Sequence, residues 1–172
     1  MRPPPAPRAP EMMRLPRTIR FDASDEQVFE RAAAADEWAV SGGFAFAEAD
    51  PASLCGKRGQ AFRSGFLGTA SFGWSTLVAV AAISEAEYQG VIEALARHLV
   101  ACYGAPSLAA AAPAARAEVE FAASLCRHPL NTLIAVEREL GPDGTVERFR
   151  TIAPRARPDH ARIWAIVEDE AE

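Results

Sequence analysis

Three cysteines and three histidines are the residues best suited to covalent or metal chemistry in this chain. His98 and Cys102 fall four apart in a stretch of helical periodicity, so their side chains share a face and converge. Cys126 and His128 stand at the end of the next helical stretch. In an antiparallel helix pair, the end of the first helix meets the start of the second, so the two His/Cys pairs stand apart. Their spacing also differs from structural zinc patterns. The expectation is therefore no metal site, with Cys102 and Cys126 filling core space as small hydrophobes. Cys55 differs from both. In LCGKRG it has Lys57 and Arg58 close by, and nearby cations favour the thiolate. It is the candidate reactive thiol, with no second cysteine near enough for a redox pair.

Other chemistries fail on spacing. Gly56-Lys57 has the ending of a phosphate-binding loop without its upstream glycine or the Ser/Thr that should follow. Gly65, Gly68 and Gly73 lead into an apolar run, whereas a dinucleotide fingerprint follows a strand and opens a helix. Gly73-Trp74-Ser75-Thr76-Leu77 starts like a nucleophile elbow, but lacks the second glycine and precedes its strand. The carboxylates Glu118/Glu120 and Asp22/Asp25/Glu26 have no apolar setting to raise a pKa, and read as surface groups or caps. Neither a catalytic constellation nor a cofactor motif emerges. What remains is a region of glycines, aromatics and cations. Trp38, Gly42, Gly43, Lys57, Arg58 and Trp74 are its candidate ligand-binding residues, with Ser41, Arg63 and Phe72 beside them. Such residues line grooves for an acidic ligand or a partner segment.

The elements that must position these residues follow from periodicity. Residues 71–84, SFGWSTLVAVAAIS, form the longest nearly uncharged apolar run. Thr76, Val78, Val80 and Ile83 are β-branched, which suits a strand. Both of its faces are apolar or small, which predicts a central strand covered on both sides. The run is too short to span a membrane, which takes about 20 apolar residues. Before it, residues 17–22 predict a first strand and residues 25–35 a short helix capped by Asp22 or Ser24. Residues 38–47 alternate as a strand interrupted by Gly42-Gly43. Asp50 and Pro51 open a helix over 52–64, weakened by Gly56 and Gly59. After it, Ser84 caps an amphipathic helix with the stripe Tyr88, Val91, Ile92, Leu95, Leu99 and Cys102. Gly104 and Pro106 stop that helix, and Ser107 starts another. Residues 131–140 and 145–152 form a β-hairpin around Gly141-Pro142-Asp143-Gly144. Its charged residues, including Glu137, Arg138, Glu139, Glu147, Arg148 and Arg150, predict a solvated face with cross-strand ion pairs.

The order predicts an α+β fold: a mainly antiparallel sheet of about five strands, helices packed on it, and a C-terminal β-hairpin. Residues 1–16 read as a disordered proline-rich tail, with Met12 and Met13 as alternative internal starts, and residues 17–154 as one α+β domain. Residues 155–172 form a tail with an apolar docking cluster at 163–167 and an acidic end.

At 172 residues, with 49% hydrophobic and 24% charged residues, the composition is that of a globular domain. A net charge of −5 argues against nucleic-acid binding, which needs a basic face. Three unpaired cysteines and no apolar leader segment predict a cytoplasmic protein with reduced thiols.

The runs RTIRFDASDEQVFERAA, EWAVSGGFAFA, GFLGTASFGWSTLVAVA, ARHLVACYGAPSL and HPLNTLIAVERE resemble a family of small proteobacterial proteins of unknown function, over residues 15–154. That family carries no assigned catalytic residues. Its members tend to be encoded near accessory genes for molybdenum or iron–sulfur oxidoreductases. The resemblance thus implies an accessory role in such a system, through a protein partner or homo-oligomer. The alternative is a small-molecule-binding protein or enzyme using the glycine, aromatic and basic region.

Overall fold

The computed structural model describes residues 11–20 and 23–153. The stretch 1–10, the expected strand end and cap at Phe21 and Asp22, and the expected C-terminal tail with its cluster at 163–167 lie outside the described residues.

The fold is α+β, with its strands in two antiparallel sheets. The larger has the order β1-β5-β6-β7: β1 is Arg14–Thr18, β5 Leu77–Ala82, β6 Leu133–Gly141 and β7 Gly144–Ile152. The smaller has the order β2-β3-β4: β2 is Ala39–Val40, β3 Phe66–Gly68 and β4 Trp74–Ser75. β4 and β5 are separated by Thr76 alone, so the chain changes sheets there. The turn is fixed by Asp25, a buried carboxylate that accepts from Thr76 Oγ1 at 2.7 Å.

The apolar run at the centre of the sequence is an inner strand of the larger sheet. Val78 and Val80 are fully buried, but Leu77, Ala79 and Ala81 are only half-buried. The strand is thus sealed on one face, and the expectation of cover on both faces is corrected. The first strand also moves. β1 begins at Arg14, inside the stretch read as a tail, and Leu15 is fully buried. Pro16 is tolerated because β1 is an edge strand, where a missing N–H breaks no inner ladder.

Short elements differ most from expectation. The helix expected over 25–35 is one turn, α1 (Ser24–Val28), with Ala23 at its N-cap and no side-chain cap. The strand expected over 38–47 ends at Val40. Gly42 turns it with a φ of +85°, and residues 43–46 coil into a 3-10 turn. The basic helix splits in two. Asp50 caps a 3-10 turn at Pro51–Ser53, and Gly56, with a φ of +56°, opens α2 (Gly56–Ser64).

Longer elements follow their signals. α3 (Glu85–Cys102) starts with a full capping box between Ser84 and Glu87, an arrangement worth about 1 kcal/mol. α4 (Leu108–Ser124) is capped by Ser107 Oγ, which accepts from Ala110 N at 3.1 Å. The two helices pack as a hairpin, with Val91, Ile92, Leu95, Ala115, Val119 and Ala122 buried alongside Leu15, Val40 and Leu67. Val78, Val80, Ile134 and Val136 of the sheet bury with Cys126, just past α4, and with Ala39 and Phe66 of the smaller sheet. Cys102 is exposed instead of filling the core.

β6 and β7 pair along their whole length, from Leu133↔Ile152 to Gly141↔Gly144. Glu137–Arg150 at 3.1 Å and Glu139–Arg148 at 2.9 Å are exposed cross-strand pairs. Arg138, expected on the same solvated face, points the other way and its side chain is fully buried. Strand alternation requires this, since neighbours on a strand face opposite sides. Its Nε donates to Glu147 Oε2 at 2.9 Å. Nη1 donates to Phe62 O at 3.0 Å and Gly65 O at 2.8 Å, carbonyls at the end of α2. Nη2 donates to Ser41 O, and to Ser41 Oγ at 3.1 Å. Ser41 Oγ in turn donates to Glu147 Oε2 at 2.6 Å. Burial lowers the Arg138 pKa from its usual value, against the Glu147 contact that raises it. A guanidinium suits this place because its fork meets several acceptors and the last carbonyls of a helix favour a cation.

Replacing Arg138 with Met, of similar volume, leaves Glu147 without its cation and the carbonyls at the end of α2 without their donor. The expected loss is about 3–5 kcal/mol in urea unfolding, against under about 1 kcal/mol for Glu139→Gln in the exposed pair.

Candidate functional site

The site is organised by a second buried charge. Glu37 is 7% exposed and lies just before β2. Its Oε1 accepts from Ala70 N, Ser71 N and Ser71 Oγ at 3.0–3.1 Å, and its Oε2 accepts from Ala34 N at 2.9 Å. Gly68 packs flat on this carboxylate, and any Cβ there would collide with it. Ser71 Oγ then accepts from Gly73 N at 3.0 Å, and Gly68 N donates to Gly73 O at 2.9 Å. These bonds close the 68–73 loop around Phe72, whose φ of +54° lies in the left-handed region. A bulky side chain in that region is a real outlier, costing about 1–3 kcal/mol, and persists only where its surroundings over-determine it.

The loop presents Phe72 and, one residue after Gly73, Trp74. Trp74 N donates to Arg31 O at 2.9 Å, and Ala33 N donates to Trp74 O at 2.8 Å. Gly73 lies so close to the Ala32 backbone that a Cβ would clash with it. The segment bearing Arg31 is thus stitched to the loop bearing Phe72 and Trp74. Behind Trp74, Gly42 and Gly65 leave room for its ring, since a Cβ on either would come within 2.8 Å of it. Phe46 packs on the other side, 5.1 Å from Trp74 between ring centroids.

These elements enclose a cavity of about 430 Å³. Lys57 and Arg58, from the first turn of α2, and Arg31 supply its positive charge, and Glu30 its one carboxylate. Phe46, Phe72, Trp74 and Tyr103 supply aromatic wall. None of the three cations is ion-paired among the described residues. Arg31 Nη1 reaches only Ser71 O, at 3.4 Å. The arrangement attracts an anion and offers flat apolar surface to whatever carries it.

His98 stands behind this wall. Its ring stacks on Phe72 at 3.7 Å with 5° between planes, and Tyr103 lies 5.5 Å away. Burial, then the Arg31 charge, lowers the His98 pKa and so favours the neutral imidazole. Burial raises the Tyr103 phenol, with Cys102 adding to the shift and Arg58 opposing it. His98 is therefore a stacking partner here. Among the described residues no group of three or more His, Cys, Asp or Glu side chains is arranged to hold a metal ion.

Of the candidate ligand-binding residues, the structure brings Lys57, Arg58 and Trp74 to one cavity, with Phe72 beside them. Gly42 stands behind that cavity, against Trp74 and Leu67, and Gly43 lies beside the Glu147 carboxylate. Trp38 is elsewhere, with the Arg17 guanidinium 4.6 Å above its ring. Ser41 belongs to the Arg138 knot, and Arg63 lines a separate depression with Gln60 and Arg148. Cys55 is exposed at the N-cap of α2, outside the cavity lining. Arg31 and Tyr103 are functional candidates that spacing missed. They come from segments far apart in sequence and join the site only through the 31–33 to 74 pairing and the end of α3. Glu118, read as a surface group, instead has its pKa raised by burial, then by Glu147, with Arg138 opposing.

A family model covers residues 13–169. The chain belongs to DUF6505, a family of unknown function. No curated protein and no solved structure matches it. The DUF6505 match includes every residue of the cavity and of the Glu37 and Arg138 networks. Among the described residues of this DUF6505 chain, no helix is long and apolar enough to cross a membrane.

The thiols separate by environment. Burial pushes Cys126 up to about 12, so it stays protonated at pH 8, whereas Cys55 and Cys102 are exposed. A disulfide reagent at pH 8 should therefore modify two thiols quickly and Cys126 only on unfolding, as read by mass spectrometry of the labelled peptides.

Proposed function

We propose that this protein binds a small anionic ligand in the cavity between α2, residues 30–31 and the 68–74 loop. One observation carries the reading: three cations, none ion-paired among the described residues, surround an aromatic-walled cavity of about 430 Å³. That volume falls within the usual range for small-molecule sites, about 300–1,000 Å³. Each network around the cavity supports the same reading. A strained aromatic is held at its wall, and glycines are placed where a side chain would displace Trp74. The reading is of a binding protein first, because the lining offers charge and aromatic surface. An enzyme that uses the same cavity is its extension.

A second reading, an accessory protein acting on a protein partner, has its own support. β7 is an edge strand of nine residues. Val146 and Ile152 on it are 41% and 57% exposed, and Phe121 of α4, 40% exposed, packs beside Phe149. Such an edge is suited to pairing with another chain or with a second copy. The resemblance to bacterial proteins encoded near molybdenum or iron–sulfur oxidoreductase accessory genes leads to the same reading, with a cytoplasmic site of action.

Native mass spectrometry of protein purified from its host at low salt separates the two. The ligand reading expects a small retained mass on the wild type that is lost from Arg58→Glu. A retained protein, unaffected by Arg58→Glu, would favour the β7 edge instead.

A further inference from the structure

This inference rests on the cavity being an anion site. We infer that its ligand is a flat-ringed dianion, an aromatic ring bearing a phosphate or paired carboxylates, whose ring lies against Phe72 and whose charge meets Arg31, Lys57 and Arg58.

The charge follows from the lining. Three cations and one carboxylate, Glu30, leave a surplus of two positive charges. A dianion neutralises that surplus, and guanidinium groups bind phosphate and carboxylate through parallel hydrogen bonds. The ring follows from Phe72. One of its faces is covered by His98 at 3.7 Å and 5°, and Phe72 is also part of the cavity wall. His98 and Phe72 are thus two rings of a stack that stands at the cavity wall. A third flat ring completes it, whereas a saturated ring has no π-face to offer. The left-handed backbone at Phe72 adds to the argument. Glu37 and Ser71 hold an aromatic residue there although its backbone favours glycine, and the effect is to set this ring at this wall. Strain of this kind clusters at ligand clamps.

Isothermal titration at low salt with phenyl phosphate, isophthalate, cyclohexyl phosphate and inorganic phosphate tests the assignment. At least one of the two aryl dianions should bind about tenfold tighter than cyclohexyl phosphate and inorganic phosphate. Which of them does so separates a phosphate ligand from a dicarboxylate. Phe72→Gly removes the ring yet suits the left-handed backbone. It should bring the aryl and cyclohexyl compounds to near parity and leave inorganic phosphate unchanged. Binding of both aryl dianions no tighter than cyclohexyl phosphate by the wild type, or an aryl preference that survives Phe72→Gly, overturns the ring and leaves the anion site standing. No binding of any of the four by a chain that circular dichroism shows to be folded overturns both.

Discussion

A single buried guanidinium ties the two sheets of this protein together. Arg138 comes from β6, but its acceptors lie on β7, at the end of α2 and at Ser41 just past β2. Each group alone would be costly to bury: a cation, a carboxylate, the free carbonyls of a helix terminus. Together they satisfy one another, which makes the knot specific to one arrangement of the parts. α2 is a short helix with little apolar periodicity, and a nine-residue helix is marginal on its own. Its position depends on the knot and on the small cluster that its own Ala61 and Phe62 form with Phe29 and Phe46. Because Lys57 and Arg58 ride on α2, the charge of the cavity depends on Arg138 without contact between them.

Glu37 does for the loop what Arg138 does for the helix. Both are charges buried among hydrogen-bond partners from distant segments, and both use glycines as the surface they rest against. Gly68 lies under Glu37, and Gly43 lies beside Glu147. The Gly42-Gly43 pair and the glycines at 65, 68 and 73 are therefore architectural. They let Trp74 and the buried carboxylates come close to backbone. Function in this account lies in what that packing exposes, namely one aromatic wall and three cations that outnumber the single carboxylate, Glu30, beside them.

Much of the fold was legible because it is local. The cap at Ser84, the stripe on α3 and the 141–144 turn are each set by nearby residues, and the structure contains all three. The α+β class and the C-terminal hairpin followed from them. The short strands β3 and β4 were hidden, since two or three residues carry no period. Arg138 was misread because a charged residue between two glutamates looks solvated; only strand alternation, applied strictly, would have turned it inward. The cavity was legible in part. Lys57, Arg58 and Trp74 stood out by type, but Trp38 did so equally and lies elsewhere. Arg31 carried no signal, because its place depends on a backbone pairing with Trp74 across more than forty residues.

The most direct measurement is a map of amide chemical-shift changes in isotope-labelled protein as phenyl phosphate is added at low salt. The account predicts saturable shifts centred on Arg31, Lys57, Arg58, Phe72 and Trp74, with His98 responding through its stack on Phe72. Shifts confined to the β7 edge, to Trp38 and Arg17, or to no residue at all would contradict it.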